Sequence, residues 1–414
     1  MKKIAIIHYS SPPVIAGVEL VIKDQADLFI RNGFKVKIIS GKGSKYRKDI
    51  EYEEIEEINP RNGKYLKMRA KFENGESVLN FDQYKKKLKN KLSKVLSDVD
   101  ICIVHQALTM HFNFALTAAL LEIINENKKI NFIHWTHDAT YLDKNYKNKF
   151  YGFKDQFPWN LITKMYSNIK YISITEFRRK QFADFFNMNI NKIINIPNGM
   201  KIETFFRLDN EFEKIISDLG LFDCDLIACL PTRIVRRKNL EKAIEIIAEI
   251  KKLKLNIKYL ITGAQDFQNP DAIHYFNDLK KLSRKLKVEN DVIFLSDYVL
   301  SNGQKINLEN IHILNLYLLS DFLLVPSVLE GFGLQLIEAG LAKTPVICSD
   351  ILPFQEIAHN DAYIFKLNDS SKVIAKNIIN YLEKIPTSRL YRRTIKDYLL
   401  DNIYQEKIKP ILKG

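Results

Sequence analysis

The chain is poor in cysteine and tryptophan and contains no long apolar run. Four cysteines and two tryptophans occur among 414 residues. The cysteines are far apart and lie mostly in apolar runs such as ICIV and VICS, which favours reduced, buried thiols over disulfides or zinc ligands. No run approaches the roughly 18 apolar residues of a transmembrane helix, and the stretch before His8 is shorter than the roughly 7–15 apolar residues of a signal peptide. The sequence predicts a cytoplasmic protein, or one peripheral on the inner face of the cytoplasmic membrane.

Acidic residues are outnumbered by basic ones. The chain has 63 lysines and arginines against 49 aspartates and glutamates, a formal net charge of +14. Such an excess suits nucleic acid, an anionic membrane or a phosphorylated substrate. Compositional drift towards lysine, beside abundant Ile and Asn, explains it equally well. Because no nucleic-acid-binding motif is present, we expect no nucleic-acid partner.

Short apolar runs alternate with helical patterns along most of the chain. Strand, helix, strand in this order predicts an α/β fold with doubly wound parallel sheets. The alternation of predicted strands and helices starts again after Asn198-Gly199. The length of the chain allows two to three domains of about 150 residues. We predict two Rossmann-like domains, 1–204 and 205–385, followed by a helical tail, 386–414. The predicted strands are 3–9, 35–40, 100–106, 131–137, 171–175, 192–197, 225–235, 256–263, 291–297, 321–327 and 345–350.

The most informative segment is PSVLEGFGLQLIEAGLAKTPVICSD, residues 326–350. A glycine-rich loop that starts at Glu330 separates a predicted buried strand from a helix that begins near Leu334. Glycines let the backbone approach a ligand, and the unpaired N–H groups of a helix start suit hydroxyl and phosphate oxygens. Glu330 and Glu338 can each accept sugar hydroxyls through two oxygens. A plain strand–helix turn with solvated glutamates is the alternative.

The pattern E-G-F-G-L-x-x-x-E, with seven residues between the glutamates, resembles the signature of family 4 retaining glycosyltransferases, which have the GT-B fold. In that family the first glutamate holds the donor sugar, the F-G-L backbone faces sugar and phosphate, and the second glutamate holds the ribose. The resemblance also implies that the two domains face each other across a cleft and that the tail helix crosses back onto the first domain. The donor-binding residues that it implies here are Glu330, Gly331, Phe332, Gly333, Leu334 and Glu338.

A second segment, P-T-R-I-V-R-R-K-N, resembles the family's strand-end pattern G-R-L-x-x-x-K. The resemblance places Arg233 and Lys238 on the donor pyrophosphate. Two cations suit a diphosphate leaving group, because negative charge builds on it during the reaction. The chain departs from the pattern with Pro231-Thr232 in place of glycine and with two additional arginines, Arg236 and Arg237. We expect these arginines to face solvent, and an enlarged anion site is the alternative. A basic strand–helix loop without a ligand is the alternative.

Two further donor contacts follow from the resemblance. The segment P-V-I-A-G-V-E resembles the family's G-G-x-E loop, with Ala16 in place of the first glycine, and implies that Gly17 lets the backbone approach the donor phosphate. Asp297 and Tyr298, after the strand DVIFLSD, fall where the family contacts the nucleobase. Nothing in this segment separates uracil from guanine.

Four histidines occupy or follow strand ends of the first domain, where α/β proteins place ligands. His137 and Asp138 match the family's H-D position near the reacting sugar, so we predict His137 as a catalytic residue and Asp138 as an acceptor contact. We predict that His105 lines the acceptor pocket and that His134 is a satisfied core histidine. His8 ends the first predicted strand.

Other patterns favour structural roles. Asp98-Val99-Asp100 looks like the D-x-D metal site of the other glycosyltransferase fold class, but it precedes a strand, so we predict a helix-to-strand turn. No His/Cys cluster has metal-ligand spacing, and we expect no metal. The basic stretch 84–94, with leucines at helical period, and the aromatic–basic run 178–186 are interpreted as solvated helix faces. A membrane-surface helix is the alternative for each.

The resemblance implies a retaining glycosyltransferase of polysaccharide or solute biosynthesis. It would move a hexose, glucose or mannose, from a UDP- or GDP-sugar to a hydroxyl of a glycan, a glycolipid or a small solute such as a glycerate derivative. Front-face attack, in which the leaving phosphate accepts the acceptor's proton, requires neither metal nor other cofactor. The predicted catalytic residues are His137, Glu330, Arg233 and Lys238. Another GT-B activity, such as a nucleotide-sugar epimerase or phosphorylase, and a non-catalytic basic adaptor on membrane or nucleic acid are the alternatives.

Overall fold

The structure is a computed structural model that describes residues 1–206, 208–263 and 270–413. It divides the chain into two units, Met1–Met200 with Leu400–Gly414, and Lys201–Leu399. The predicted helical tail starts at residue 386. In the structure the helix Pro386–Tyr398 belongs to the second unit, and the chain rejoins the first unit at Leu400. Gly414, the last residue of the predicted tail, lies outside the described residues.

The first unit is built on a parallel sheet with helices between its strands. Its strands are β1 (Lys3–His8), β2 (Lys35–Ser40), β3 (Ile50–Glu54), β4 (Ile101–His105), β5 (Asn131–Thr136), β6 (Ile169–Ser173) and β7 (Ile193–Asn195). Its first helices are α1 (Gly17–Arg31), α2 (Gly63–Glu73), α3 (Phe81–Val95), α4 (Phe114–Glu126), α5 (Lys144–Phe150) and α6 (Glu176–Phe185). Across the described residues the seven strands lie in the order β3-β2-β1-β4-β5-β6-β7, so the winding direction reverses between β1 and β4.

The second unit repeats this plan. Its strands are β8 (Leu226–Leu230), β9 (Ile257–Ile261), β10 (Val292–Phe294), β11 (Phe322–Val325), β12 (Val346–Ser349) and β13 (Tyr363–Phe365). Its helices are α7 (Ile202–Phe206), α8 (Asn210–Leu219), α9 (Leu240–Lys252), α10 (Pro270–Lys285), α11 (Asn310–Leu319), α12 (Leu334–Ala342), α13 (Leu352–Ala358), α14 (Ser371–Lys384) and α15 (Pro386–Tyr398). The six described strands lie in the order β10-β9-β8-β11-β12-β13, and the reversal falls between β8 and β11.

The end of the chain returns to the first unit. The return consists of α16 (Leu400–Ile403), a π-helical turn (Tyr404–Ile408) and α17 (Lys409–Lys413). Tyr404, Ile408 and Leu412 are buried in the same apolar cluster as residues of β1 and β5. The return segment is therefore part of the core of the first unit.

The predicted fold class, two doubly wound α/β domains, is confirmed by the two parallel sheets. Every residue of β1, β4 and β8 is buried, as expected of strands covered by helices on both faces. The predicted strand 225–235 is too long, because β8 ends at Leu230 before Pro231, which lacks the N–H that a sheet requires. Two short edge strands, β3 and β13, were not predicted.

Helix α3 carries the basic stretch 84–94. Leu88 and Leu92 on its apolar face are fully buried in the core that they share with α4. Lys89, next to Leu88, pairs with Glu122 of α4 at 2.9 Å. The interpretation of 84–94 as a solvated helix face is confirmed, since its leucines are not available to a membrane. None of the helices in the described ranges has the length and hydrophobicity needed to cross a bilayer.

Asp321, at the start of β11, is a buried carboxyl group with one unpaired oxygen. It is 5% exposed, and its Oδ2 accepts a hydrogen bond from the Ile227 N–H at 2.8 Å. Its Oδ1 has no hydrogen-bond partner and lies 3.8 Å from Nε of Arg392 on α15. Burial raises the pKa of Asp321 to about 7, although the Ile227 N–H and the charge of Arg392 act in the opposite direction.

We expect Asp321 to make the stability of the protein fall as pH rises. Between the unfolded pKa near 4 and about pH 7, the folded chain holds a proton that the unfolded chain has lost, so unfolding becomes easier by up to about 1.4 kcal/mol per pH unit. Asp321→Asn should remove this dependence. Urea unfolding at pH 5, 6 and 7 measures it, and equal slopes for Asp321→Asn and the unaltered chain would contradict the assignment.

Candidate active site

The charged residues that were predicted to bind the diphosphate and the donor sugar lie in the loops after β8 and β11 of the second unit. These strands are neighbours at the point where the strand order reverses, which is where open α/β sheets bind ligands at the strands' carboxyl ends. The loop after β8 carries Arg233 and Lys238, and the loop after β11 carries Glu330. The structure thus brings Lys238 into contact with Glu330, which is 92 positions away in sequence.

Glu330 is enclosed by hydrogen-bond donors. Its Oε1 accepts hydrogen bonds from Lys238 Nζ at 2.5 Å and from Ser327 Oγ at 2.8 Å. Its Oε2 accepts one from Nη1 of Arg237 at 2.5 Å. The side chains of Glu330 and Lys238 are only 6% and 8% exposed. The pair is a buried ion pair that joins the two loops.

The carboxyl group of Glu330 is held in its ionised form. Burial raises its pKa, but the hydrogen bonds from Lys238, Ser327 and Arg237 outweigh this effect, and the net pKa lies below its usual value. A carboxylate offers about four lone pairs. These three donors, with Nε2 of Gln335 3.5 Å from Oε1, use most of them, so Glu330 retains little capacity to accept hydrogen bonds from a ligand.

The two additional arginines differ in their contacts. Arg237 is 42% exposed, and its guanidinium also binds Glu330 and donates to the carbonyl oxygen of Leu329 at 3.2 Å. Arg236 is exposed but lies over the ring of Tyr275, with its guanidinium carbon 4.7 Å from the ring centre. Arg237 belongs to the charged site, whereas Arg236 packs beside it.

Arg233 differs from the other basic residues of this loop. Its side chain is exposed, and it has no hydrogen-bond or ion-pair partner among residues 1–206, 208–263 and 270–413. A guanidinium of this kind retains all five N–H donors for an anion. Lys238 has three donors, of which one is directed at Glu330.

The glycine-rich loop leads directly into α12. Phe332 and Leu334 are 54% and 64% exposed, and Gly331 is also exposed. Gly333 has φ +122°, and a Cβ at this position would lie 2.9 Å from the ring of Phe354. Glycine is therefore required at 333 both by the backbone conformation and by the packing of α13 beneath the loop.

Glu338 lies on the exposed face of α12. Its Oε2 accepts a hydrogen bond from the hydroxyl of Tyr317 at 2.7 Å. This bond ties α12 to α11 and leaves the other carboxylate oxygen of Glu338 available to a ligand.

Asp297 and Tyr298 are already engaged by the protein. Asp297 pairs with Lys280, and the Tyr298 hydroxyl donates to Oδ2 of Asp218 at 2.7 Å. Burial, together with this bond to Asp218, raises the pKa of Tyr298 to about 12. Both residues line a cavity of about 350 Å³ beside β10. Their contact with a nucleobase stays a prediction.

Gly263, after β9, supports the arginine loop and was not predicted. A Cβ at this position would lie 1.6 Å from the carbonyl oxygen of Thr232, the residue before Arg233. The backbone of the arginine loop therefore rests directly on Gly263. The glycine at the end of the predicted strand 256–263 was the available signal, but sequence could not show what packs against it.

Gly263→Ala should displace the arginine loop. We expect a loss of about 1–3 kcal/mol in the free energy of unfolding, the usual cost of overpacking. Gly331→Ala is the matched control, since a Cβ there has no atom within 4 Å, and we expect a change within about 0.5 kcal/mol. Urea unfolding of both variants measures the difference. Equal stabilities would contradict the packing of Gly263 against Thr232.

In the first unit, buried polar residues collect where β1 and β4 adjoin. His8 donates from Nδ1 to the carbonyl oxygen of His105 at 3.1 Å, and its Nε2 lies 4.0 Å from Oε1 of Glu19. Glu19, which is 6% exposed, also accepts a hydrogen bond from Ser10. Glu19 was not singled out from sequence, although it is the glutamate of the segment P-V-I-A-G-V-E.

His105 and His137 are hydrogen-bonded to each other. Nδ1 of His105 lies 2.9 Å from Nε2 of His137, and Nε2 of His105 lies 3.1 Å from Oε1 of Gln25. His105 is fully buried, behind the half-buried His137, so the structure does not place it at an accessible surface. Burial lowers the pKa of His137 to about 3, assisted by the neighbouring His8.

The other residues predicted for this region have separate environments. Oδ1 of Asp138 pairs with Arg178 at 3.1 Å. Gly17 is exposed as the first residue of α1, and a Cβ there would meet no atom within 4 Å. His134 is fully buried and hydrogen-bonded through both ring nitrogens, to the Leu108 N–H and to Thr136, which confirms it as a satisfied core histidine.

The prediction of a turn at Asp98-Val99-Asp100 is confirmed. Asp98 bonds to Lys3 at 2.5 Å and to Lys37 at 2.8 Å, and Asp100 accepts a hydrogen bond from the backbone N–H of Lys3 at 2.7 Å. Both carboxylates therefore join the strands at the end opposite to the histidines.

Comparison with known proteins agrees with this geometry. Residues 211–397, which contain the charged loops of the second unit, match the family described as "Glycosyl transferases group 1". The match lies within the second unit, Lys201–Leu399.

Its relatives include two enzymes of the same name. The chain is 28% identical to mannosylglucosylglycerate synthase of Petrotoga mobilis over 390 residues, covering 83% of this chain and 87% of the relative. It is 24% identical to mannosylglucosylglycerate synthase of Thermotoga maritima over 426 residues, covering 95% and 94%. Among solved structures, a glycosyltransferase from Rickettsia africae aligns over 100% of this chain and 99% of its own, with 17% identity and a TM-score of 0.37.

Proposed function

We propose that the protein is a retaining glycosyltransferase that moves a hexose, mannose or glucose, from a nucleotide-diphosphate sugar to an acceptor hydroxyl. The observation that carries the proposal is the buried Lys238–Glu330 pair, together with the exposed Arg233 of the same loop, which has no partner in the part of the chain that the structure describes. The names of the two relatives favour a mannose-type sugar and a small-solute acceptor. A glycan or glycolipid acceptor, and contact with a membrane surface, stay open to test.

The basic residues would bind the leaving diphosphate. Arg233 has its guanidinium free, and Lys238 has two N–H donors besides the one directed at Glu330. Negative charge grows on the diphosphate as the glycosidic bond breaks, so these cations bind the transition state more strongly than the ground state. In this mechanism they replace a metal ion, and no cofactor takes part.

Glu330 would act mainly by holding Lys238 and Arg237 in place, with a remaining lone pair for one sugar hydroxyl. The N–H groups at the start of α12 would face the sugar and phosphate oxygens. Glu338, fixed by Tyr317, would bind the ribose. The acceptor's proton would pass to the leaving phosphate during front-face attack. His137, which is neutral at pH 7 because its pKa is about 3, would bind a substrate hydroxyl rather than supply a proton.

Nucleotide binding tests the donor site. We would titrate UDP, GDP and ADP, and then their glucose and mannose conjugates, and follow the thermal unfolding of the protein. One nucleotide should stabilise the chain, by about 2.7 kcal/mol at a hundredfold excess over Kd. Arg233→Ala should abolish this stabilisation, whereas Arg236→Ala, which removes the arginine on Tyr275, should retain it. No stabilisation by any nucleotide, together with salt-sensitive binding to anionic vesicles or oligonucleotides, would contradict the transferase function and support a non-catalytic basic adaptor.

Replacing Glu330 tests catalysis. With the donor and acceptor identified, we expect Glu330→Ala to lower kcat about 100-fold or more, because Lys238 and Arg237 lose the group that positions them. Glu330→Gln should retain the fold, which circular dichroism can verify, and still lose much of the rate. NMR of the product's anomeric carbon checks retention of configuration. Near-normal turnover of Glu330→Ala would contradict the role of this residue, and an inverted product would contradict the retaining mechanism.

A further inference from the structure

Three side chains from three separate elements form a hydrogen-bonded row in the first unit. Gln25 lies on α1, His105 ends β4, and His137 follows β5. The row runs from Gln25 Oε1 to His105 Nε2 at 3.1 Å and from His105 Nδ1 to His137 Nε2 at 2.9 Å. Gln25 is 2% exposed and His105 is fully buried. Only His137, at the end of the row, is partly accessible.

The amide oxygen of Gln25 determines where the protons of this row lie. A carbonyl oxygen can only accept a hydrogen bond, so Nε2 of His105 must carry its proton. Burial, together with the neighbouring histidines, lowers the pKa of His105 well below its usual value, and the ring is therefore neutral. A neutral ring protonated at Nε2 has a lone pair at Nδ1. Nδ1 of His105 is thus an acceptor that faces His137.

The same reasoning extends to His137. Its Nε2 must donate to Nδ1 of His105, and because its ring is also neutral, its own Nδ1 has a lone pair. Nδ1 of His137 has no hydrogen bond to any of the described residues, and it is not among their buried unpaired atoms. It is therefore an exposed acceptor that can receive a hydroxyl proton in a hydrogen bond.

The two histidine rings lie edge to edge, as an N–H···N hydrogen bond requires. The ring centres of His105 and His137 are 5.2 Å apart with 23° between planes, and Nδ1 of His105 lies 2.9 Å from Nε2 of His137. Trp135 stacks on His105 at 5.9 Å and 22°. If His137 took the opposite tautomer, two lone pairs would face each other unless His105 also changed. That change would direct the lone pair of His105 at the oxygen of Gln25.

We propose that Gln25 and His105 are positioning residues that fix His137 as the Nε2-protonated tautomer and thereby keep its Nδ1 as the acceptor for a substrate hydroxyl. The proposal rests on the proposed function of His137. It assigns His105 a place behind the substrate site instead of in the acceptor pocket, and it gives Gln25 an effect on the reaction without contact with the substrate.

NMR of the protein labelled with ¹⁵N-histidine tests the proposal without any substrate. At pH 7 we expect His105 and His137 to be neutral and protonated at Nε2, with a scalar coupling across the hydrogen bond between Nε2 of His137 and Nδ1 of His105. In Gln25→Met, which keeps the length of the side chain but removes the amide, the coupling should disappear and the Nδ1-protonated form of His137 should become populated. His137 protonated at Nδ1 in the unaltered chain would overturn the proposal, whether or not any variant folds. Unchanged His137 signals in folded Gln25→Met would also overturn it.

Steady-state kinetics of the variants are the second test of the proposal. We expect Gln25→Met to lower kcat about 10- to 100-fold, the range found when a group that orients a histidine is removed, with less than about a threefold change in KM for the donor. Gln25→Asn keeps an amide oxygen and should recover part of the loss. His111→Gln is the control, because His111 is a buried histidine of the same unit that bonds to Thr140 outside the row. Equal losses of kcat in His111→Gln and Gln25→Met would indicate a purely structural effect and overturn the proposal.

Failure of the proposed function can be distinguished from failure of this proposal. If the unaltered chain turns over no sugar nucleotide, the proposed function fails, while the NMR measurement still determines the tautomers of His105 and His137.

Discussion

The structure of the loops after β8 and β11 depends on one buried ion pair, Lys238 with Glu330. Burying either charge alone would cost several kcal/mol, so each residue requires the other. The pair therefore joins the loop after β8 to the loop after β11, and backbone bonds reinforce the connection: the Val328 N–H donates to the carbonyl of Arg237, and Asn239 donates to that of Pro326.

The two units share the same sheet topology but differ in the polar side chains at the point where the strand order reverses. Each sheet reverses its winding between two neighbouring strands and gathers polar side chains there. In the second unit these side chains are ions, and Arg233 adds an unpaired positive charge at the surface. In the first unit they include neutral histidines, because burial suppresses the protonation of His8, His105 and His137.

Much of the fold could be predicted from sequence, because strands covered on both faces produce continuous apolar runs that stand out against helical periodicity. The edge strands β3 and β13 lack that signature, since part of each is exposed. Within the site, the motif residues were predictable by resemblance, but Arg237 was not, because only the folded chain brings it to Glu330. Gln25 is one polar residue among many on α1, and nothing in the sequence indicates that His105 packs against it.

The first unit is discontinuous in sequence, and this has a consequence for how the protein is made. The described strands of its sheet end at residue 195, yet Tyr404, Ile408 and Leu412, which pack in one of its cores, follow the whole second unit in sequence. They are therefore synthesised after the second unit. Until they emerge from the ribosome, the apolar surface that they cover is open to solvent, and a chain that is interrupted before residue 404 should present this surface to chaperones.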